Sequence, residues 1–346
     1  MSVEFVHNCN QPWLVEFVFI RAICVKRKLS LTAIRFLIFS NMPNYVVITP
    51  VRDEGEHLPH TIESMASQTI RPAMWVVVND GSSDNTGAVA EAAAAKYTWM
   101  RVVHRADRGF RQAGGGVIEA FYDGYKMTEN IPWDFLVKLD GDLSFEPSYF
   151  RGCVQRFEKD PSLGLGGGTI CNDAEGVWVA EARADPPFHV RGATKIYRRA
   201  CWEAIGGLLR APGWDTLDEF KANMLGWKTY SFSELKLLHH RIAGEADGAW
   251  KNWFKNGRAN YISGYHPVFM MLKCTQRMFT KPYGVAGLGL MSGFASGYLN
   301  DLPQIEDRAL IGYVRRQQMN RLLFRENLWD RLAPEAATED GKPVCS

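Results

Sequence analysis

Residues 75–86 read Trp-Val-Val-Val-Asn-Asp-Gly-Ser-Ser-Asp-Asn-Thr, an apolar run that turns abruptly into polar and acidic residues. Its first four residues are aromatic or β-branched, which is typical of a buried strand. The alanine-rich stretch that follows, residues 84–96, predicts a helix. This part of the chain therefore predicts a strand, a loop rich in oxygen ligands and a helix.

The same alternation recurs on both sides of this unit. Apolar runs at 45–49, 100–103 and 135–139 predict three more strands, and the stretches at 55–68 and 115–127 predict helices. Continuous apolar strands separated by helices form mostly parallel sheets that are covered on both faces. We therefore predict an α/β fold with a mostly parallel sheet flanked by helices, in which ligands bind beyond the carboxyl ends of the strands.

The bulk composition indicates a folded globular protein. The chain has 346 residues, and its formal net charge of only +2 gives no basic surface of the kind that binds nucleic acid, so no nucleic-acid partner is predicted. The seven cysteines lie far apart, and their odd number argues against a disulfide framework. Reduced cysteines suit a cytoplasmic protein. Neither apolar stretch, 13–25 or 283–299, has the features of a membrane span.

Residues 1–41 differ in composition from the rest of the chain. They are apolar and basic without a clear period, and Met42 precedes the first predicted strand. We interpret them as an N-terminal extension, either a membrane-surface helix or a mis-assigned start, and expect it to be dispensable. Residues 42–240 would then form a catalytic domain, and residues 241–346 a lid followed by a helical C-terminal region.

Three predicted strands end in acidic residues that should converge on one edge of the sheet. The first strand runs into Thr49–Glu54, the second into Asn79–Thr86, and the fourth into Asp140-Gly141-Asp142. Turn chemistry explains any one of these motifs, but it explains all three together much less well. Two carboxylates one residue apart can hold a hard divalent cation against phosphate oxygens.

Acidic residues at these strand ends leave two functions open at this point. An aspartate-nucleophile phosphatase would use Asp140 as nucleophile and Asp142 as acid, but it leaves residues 79–86 without a role. The second is a non-catalytic, membrane-associated protein that would have the same fold and bind nucleotides without turnover. An EF-hand is excluded, because the sixth loop position is Phe145 instead of glycine.

In their order and spacing, the motifs Thr-Pro-Val-Arg-Asp-Glu, Asn-Asp-Gly-Ser-Ser-Asp-Asn-Thr and Asp-Gly-Asp resemble the family 2 glycosyltransferases with the GT-A fold, over residues 44 to about 240. The resemblance implies a GT-A-like domain that transfers a sugar, with inversion, from a nucleotide-diphosphate sugar to an acceptor hydroxyl. It also implies Mn²⁺ or Mg²⁺ as cofactor. Relatives that assemble polysaccharides or glycolipids imply a saccharide or lipid-linked acceptor.

The resemblance also assigns roles to the residues at the strand ends. It implies a nucleoside pocket lined by Pro50, Arg52 and Glu54, with Asp80 at the base, Asp140 near the ribose and Asp142 on the metal. Physical chemistry agrees, because carboxylates accept hydrogen bonds from base N–H and ribose hydroxyl groups, and a metal neutralises the departing diphosphate. We add Ser82 to the donor site and Asp140 to the metal site.

Two further segments are predicted to contact the donor. Glycines in the segment 108–116 permit close backbone approach, and Arg108 can meet a phosphate, although a basic surface turn is the alternative. The segment 244–260 combines glycines, tryptophans and cations, which is typical of a lid, and Arg258 within it is predicted to bind the donor. His239 can complete the metal shell, with packing as the alternative.

Inverting transfer needs a carboxylate that takes the proton of the acceptor hydroxyl. The family usually carries Glu-Asp before a helix that ends in a glycine. Counting back from Gly226 gives Asp215 as the predicted base, although Trp214 replaces the usual Glu. Asp218 and Glu219 stay open as alternatives, and an N-cap is the structural interpretation of Asp215.

The C-terminal region is expected to be helical, apolar and basic. Residues 308–324 carry several arginines beside an apolar stripe. This pattern is typical either of a helix on an anionic membrane or of a helix packed on the catalytic domain. The first alternative would give the protein a membrane surface as partner, on the inner face of the plasma membrane. The sequence leaves the sugar, the nucleotide, the acceptor and the oligomeric state open.

Overall fold

The computed structural model describes residues 43–107, 115–181, 185–241 and 248–330. The chain divides into two compact units, Met1–Pro43 and Asn44–Ser346, and all the elements given below belong to the second. The predicted N-terminal extension, Arg108 and the first part of the predicted lid lie outside the described residues.

A nine-stranded sheet forms the centre of the second unit. Its strands are β1 Tyr45–Val51, β2 Met74–Asp80, β3 Met100–Arg105, β4 Phe135–Leu139, β5 Leu143–Phe145, β6 Leu163–Ala174, β7 Val177–Ala180, β8 Thr194–Arg198 and β9 Lys228–His239. The strand order is β3-β2-β1-β4-β8-β6-β9-β5, and β7 pairs with β6. The first four strands are parallel, as predicted. Beyond β4 the sheet is mixed, because β8 runs antiparallel to both of its neighbours.

Helices cover both faces of this sheet. Their bounds are α1 Leu58–Ala66, α2 Thr86–Lys96, α3 Gly115–Lys126, α4 Tyr149–Lys159, α5 Arg199–Ile205, α6 Trp214–Met224, α7 Ala249–Ile262, α8 Pro267–Met278, α9 Val285–Leu299 and α10 Arg308–Leu322. Val47 of β1 faces the core under α1, α2 and α4, whereas Val46 and Ile48 face the core under α3, α5 and α6. Both faces of the strand are therefore buried, which explains its continuous apolar sequence.

Helix α3 lies unusually close to the sheet at Gly124. A Cβ atom at this position would lie 2.7 Å from side-chain carbons of both Ile48 and Val78. Real side chains do not approach this closely, so glycine lets the helix rest on the strands. The contact fixes α3 beside β1 and β2, whose carboxyl ends carry the predicted donor site.

The C-terminal helices share one apolar core with α6. Helix α10 buries its stripe of Leu310, Ile311 and Val314 in this core, so its apolar face packs on protein. Helices α7 and α9 approach backbone to backbone, since a Cβ at Gly293 would lie 2.0 Å from the carbonyl oxygen of Phe254. None of the helices among the described residues is long and apolar enough to cross a membrane.

Candidate active site

The loops that follow β1 and β2 interlock at the carboxyl edge of the sheet. The Ser82 hydroxyl accepts a hydrogen bond from the Asp53 amide at 3.0 Å. Arg52 donates to the main-chain oxygen of Asp80 at 3.1 Å and to the Asp107 carboxylate at 2.7 Å. The structure therefore brings together three residues of the predicted donor site, and Ser82 joins the two loops to one another.

The predicted base-binding residue Asp80 is buried and paired with a cation. Strand β3 lies beside β2 in a register that puts Arg105 opposite Asp80, and their side chains form an ion pair. Arg105 also pairs with Asp123 of α3 at 2.8 Å. A nucleobase at Asp80 would therefore meet a carboxylate whose position is already fixed by Arg105, a residue that the sequence analysis did not identify.

A second cation ties the last strand of the sheet to the first. Arg241 follows β9, and its guanidinium lies 3.0 Å from the buried Glu54 carboxylate and donates to the main-chain oxygen of Asp53 at 2.8 Å. Pro50 is buried within β1 itself. The residues predicted to line the nucleoside pocket therefore lie on one edge, and Arg241 brings the end of β9 to that edge.

Asp140 and Asp142, after β4, differ in their surroundings. Asp140 is partly exposed and paired with Lys138, which also donates to the carbonyl oxygen of Gly192 at 2.6 Å. Burial raises the pKa of Asp140, the Lys138 charge opposes the rise, and the Asp142 charge adds to it. Asp142 is buried, and burial would raise its pKa, but the hydrogen bond from His239 holds the pKa below its usual range.

His239, at the end of β9, lies between two carboxylates. Its Nε2 atom is 3.1 Å from Asp142 Oδ2, and its Nδ1 atom is 2.6 Å from Glu181 Oε1. Burial acts to lower the pKa of His239, but the two carboxylates outweigh it and raise the pKa to about 10. Glu181 is in turn held by Arg191 at 2.9 Å. Sequence analysis missed Glu181, because no pattern marks a single glutamate after a short strand.

The side chains around Asp142 suit a divalent cation whose remaining ligands come from a substrate. No group of three His, Cys, Asp or Glu side chains within the described ranges is arranged to hold a metal. Asp142 Oδ2 and His239 Nε2 are 3.1 Å apart. Neighbouring ligands of an octahedral cation with bonds of about 2.1 Å are separated by about 3 Å. The pair therefore fits two adjacent positions on one ion once His239 has lost a proton, as metal binding requires.

The three carboxylates predicted as candidate bases lie in very different surroundings on α6. Asp218 and Glu219 are fully buried and share the ammonium of Lys195, at 2.8 and 2.9 Å. His189 also pairs with Glu219, at 2.9 Å. Asp215, in contrast, is only partly buried. Of these three groups, Asp215 is therefore the one that a second substrate can reach without dismantling a buried ion pair.

Contacts with two lysines hold the first turn of α6 around Asp215. Gly213 is the N-cap of α6, so Asp215 lies in the first turn and does not itself cap the helix. Lys195 donates a hydrogen bond to the main-chain oxygen of Asp215. The Trp214 ring, which replaces the Glu of the family pattern, lies 5.5 Å from Lys138 and 5.6 Å from Lys195. The substitution is thus accommodated by cation–π contacts to two lysines.

The structure also links Asp215 to the edge of the sheet. A Cβ atom on Gly192 would lie 3.4 Å from Asp215 Oδ2, and the Gly192 carbonyl accepts the hydrogen bond from Lys138, the partner of Asp140. Arg258 does not take part in this arrangement. It is exposed on α7, in the part of the predicted lid that is helical, next to Ala259, which contacts Gly213.

Comparison with known proteins agrees with this architecture. Residues 46–205 match the family model of Glycosyl transferase family 2. The uncharacterized glycosyltransferase EpsJ of Bacillus subtilis (strain 168) is 30% identical over 119 residues, which are 34% of this chain and 32% of EpsJ. The putative glycosyltransferase EpsH of the same organism is 24% identical over 248 residues, covering 63% of this chain and 67% of EpsH. This chain thus spans about a third of the length of EpsJ.

A solved structure shows the same fold. The crystal structure of GalNAc-T7 with UDP, GalNAc and Mn²⁺ superposes with a TM-score of 0.52 at 14% identity, over 78% of this chain and 57% of that chain. The predicted GT-A-like fold is thereby confirmed, and the family match favours a transferase over the phosphatase alternative. Residues 46–205, slightly less than half of the chain, are thus similar to the glycosyl transferase family 2.

Proposed function

We propose that the protein is an inverting glycosyltransferase that moves a sugar from a nucleotide-diphosphate sugar to an acceptor hydroxyl. In this reaction Asp215 takes the hydroxyl proton as the acceptor oxygen forms a bond to the anomeric carbon. The bond from that carbon to the diphosphate breaks at the same time, and the nucleoside diphosphate leaves with the electron pair. The convergence of Asp80, Asp140 and Asp142 on one sheet edge, with Asp215 next to them across Gly192, is the observation that carries the proposal.

The donor end of the reaction is assigned to the sheet edge. Asp80 would accept a hydrogen bond from the base, with Pro50, Arg52 and Glu54 around the nucleoside, and Asp140 would accept one from the ribose. These carboxylates are already held by Arg105, Arg241 and Lys138, so donor binding orders little further. Ser82 supports the loop, whereas Arg108 and Arg258 are kept as donor contacts on the sequence argument alone.

We assign a divalent cation, Mn²⁺ or Mg²⁺, to Asp142 and His239, with Asp140 beside them. When bound, the metal neutralises the negative charge that develops on the departing diphosphate. GalNAc-T7, a protein of the same fold, has been crystallised with UDP, GalNAc and Mn²⁺, which supports this choice. Glu181 would hold the far nitrogen of His239 and orient its ring, as partners of ligating histidines usually do.

Asp215 is the proposed base because its two alternatives are occupied. Asp218 and Glu219 are buried around Lys195, where an acceptor hydroxyl cannot come within the ~3 Å that proton transfer requires. We therefore assign these two carboxylates to the support of α6. Lys195, which contacts both of them and the main-chain oxygen of Asp215, holds the first turn of that helix in place.

We further propose that the protein binds an anionic membrane surface, at the inner face of the plasma membrane, through α8 and α9. Helix α9 contains no charged residue and turns Gly289, Gly293 and Gly297 towards α7. Large apolar side chains on the outer faces of these helices are exposed, namely Val268, Met271, Leu272, Phe279, Leu288, Met291, Tyr298 and Leu299. Lys281, just after α8, is exposed beside these residues, and its charge complements anionic lipids. A lipid-linked acceptor would be delivered at such a surface.

A thermal-shift screen of nucleotide-sugars, with and without Mn²⁺, tests the donor and metal assignments. A donor present at ~100 times its dissociation constant should stabilise the fold by ~2.7 kcal/mol, and the shift should require the metal. Hydrolysis of the same donors in water would then report turnover without an acceptor. Release of phosphate from a monoester, with no stabilisation by any nucleotide-sugar, would instead support the phosphatase. Donor binding with no turnover at all would support the non-catalytic alternative.

A further inference from the structure

A cavity of about 580 Å³ has the first turn of α6 in its wall. Its walls come from α6, α8, α10 and the segment before β8. Thr216 and His189 line it, and Thr216 directly follows Asp215 in the first turn of α6. The cavity lies largely outside the residues that match the family model. Its position next to the proposed base makes it an approach for the second substrate.

Three cations line this cavity: Lys273 and Arg277, one turn apart on α8, and Arg321 on α10. In the ranges that the structure describes, none of the three forms an ion pair. The nearest carboxylate in the wall, Asp185, pairs instead with Arg191 and His189. Burial and the charges of Arg277 and Arg321 lower the pKa of Lys273 to about 8, although Asp185 and Cys274 oppose them. The cavity therefore concentrates positive charge that carboxylates do not neutralise.

Each of these cations lies over an aromatic ring. Lys273 Nζ is 5.4 Å from the Tyr265 ring centroid, and the Arg321 guanidinium is 4.9 Å from that of Trp329. The Arg277 guanidinium is 5.4 Å from the ring of Trp253. Such rings hold a cation in place and offset part of its desolvation without cancelling its charge. The arrangement therefore keeps three charges close together and ready for an anion.

The rings also shape the part of the ligand that adjoins the anion. The side chains of Phe188, Phe269 and Trp329 form one wall, with ring centroids 5.4 Å and 5.9 Å from the Trp329 ring. Aromatic walls accept sugar rings and hydrocarbon chains alike. Two guanidinium groups and an ammonium, in contrast, match the several oxygens of a phosphate group better than a single carboxylate.

We propose that this cavity binds a phosphate group of the acceptor, and that the acceptor substrate is therefore a phosphate ester with an apolar or sugar portion. The inference rests on the proposed function only in identifying the ligand as the acceptor substrate. The binding of phosphate can be measured without any transfer. A membrane lipid and a soluble phosphorylated saccharide both present this chemistry. The site lies beside Asp215, so a bound phosphate would anchor the acceptor while its hydroxyl reaches the base.

The test uses the full-length chain and two probes, phenyl phosphate in solution and hexadecyl phosphate in phosphatidylcholine vesicles. Binding is followed by calorimetry and by co-sedimentation. A variant that carries both R277Q and R321Q should bind at least one probe about tenfold more weakly for each cation removed, since charged hydrogen bonds contribute this much. R316Q is the matched control. Arg316 is also on α10 and also lies over a ring, that of Tyr313, but it is outside the cavity.

Weakened binding of the vesicle probe alone assigns the site to a lipid phosphate, and weakened binding of phenyl phosphate assigns it to a soluble one. Equal binding by the wild type and the double variant, or equal weakening in R316Q, overturns the proposal. Donor binding with Mn²⁺ should survive in the double variant, because the cavity is separate from the sheet edge. If phosphate binding depends on the two arginines while no nucleotide-sugar binds to any variant, the cavity stands and the proposed function fails.

Discussion

The sheet edge and the helical cavity both adjoin the first turn of α6, and their charged side chains are paired in different ways. At the edge, four carboxylates of the predicted site already have a cation: Asp80 has Arg105, Asp140 has Lys138, Asp142 has His239 and Glu54 has Arg241. In the cavity, Lys273, Arg277 and Arg321 have aromatic rings instead. The edge is thus close to neutral before any ligand binds, whereas the cavity retains positive charge.

This difference indicates which ligand each region accepts. A nucleotide and a metal bring opposite charges together, so a preorganised neutral edge can take both by exchanging existing partners. Among the described residues, the three cations of the cavity form no ion pair that a ligand would have to replace, so a net anion is the ligand that lowers the energy of this region. Helix α6 belongs to both regions, because Trp214 lies over Lys138 and Thr216 lines the cavity. Substitutions in and around α6 should therefore distinguish the contributions of the two regions most clearly.

The largest effect is expected at the carboxylate between the two regions. Asp215→Asn should reduce turnover by about 10²–10⁴-fold, the usual contribution of a positioned base, and should leave donor affinity nearly unchanged. Its loss of charge from the first turn of α6 should change stability by only ~0.3–1 kcal/mol. Steady-state turnover at saturating donor, together with the donor dissociation constant, measures both effects.

Asp218→Asn and Glu219→Gln are the comparison variants for that experiment. Both carboxylates are buried around Lys195, so their loss should appear mainly in the free energy of unfolding. Normal turnover in Asp215→Asn, combined with a collapse in one of these stably folded variants, would move the base by one turn of the helix.

The next largest effect is expected on stability, at Lys195 of β8, which contacts α6. Lys195→Met leaves the buried Asp218 carboxylate without its cation and Glu219 with His189 alone, which should cost ~3–5 kcal/mol in the free energy of unfolding. Urea denaturation measures the loss. Lys228→Met is the control, because Lys228 pairs with Asp160 at the surface, where an ion pair contributes ~0–1 kcal/mol. Equal losses in the two variants would mean that the Lys195 cluster does not support α6.

The sequence predicted the sheet edge far better than the cavity, and the reason is local. Asp80 ends the strand β2 and Asp142 lies three residues after β4, and parallel strands bring their carboxyl ends together whatever the rest of the chain does. Arg277 and Arg321 lie on separate helices, and only the packing of α8 against α10 brings them to one cavity. No pattern in the sequence indicates that α8 and α10 pack against one another.

Two other parts of the sequence analysis also depended on how helices pack. The basic and apolar stretch 308–324 permitted either a membrane helix or a packed one, and the outcome depends on α6, whose core residues cover the stripe. Glycines and tryptophans in the segment 244–260 predicted a lid. From Ala249 onwards the segment is helical, because its Gly257 permits close packing on α9. Gly257 marks close packing in that helix, and the lid over the segment 244–260 stays a prediction.

A smaller effect is expected from the metal site at the sheet edge. Asp142→Asn should lower turnover by about 10²–10³-fold, which is the cost of removing one group that stabilises charge in the transition state. It should also abolish the effect of Mn²⁺ on nucleotide affinity, and EDTA should act on the wild type in the same way. Asp134→Asn is the control, since Asp134 precedes the opposite end of the same strand and its carboxylate accepts a hydrogen bond from the Asn44 amide. Full activity in EDTA would contradict the metal assignment.

The smallest effect is expected at Gly192, where the two regions touch. A Cβ atom there would lie 3.2 Å from Trp214 and 3.3 Å from the Cβ atom of Asp215, which is tight enough to move these side chains by a few tenths of an ångström. A displacement of 1 Å in a reacting group can cost about 10²-fold, so Gly192→Ala should reduce turnover by about 3- to 10-fold with donor affinity retained. Gly312→Ala is the matched control, because nothing lies within 4 Å of its added methyl group on α10. That variant should keep full turnover and gain ~0.5–1 kcal/mol of stability from the better helix former. If Gly192→Ala lost donor affinity and kept its turnover, the contact would serve the Lys138 side of Gly192, and Asp215 would be positioned by Lys195 alone.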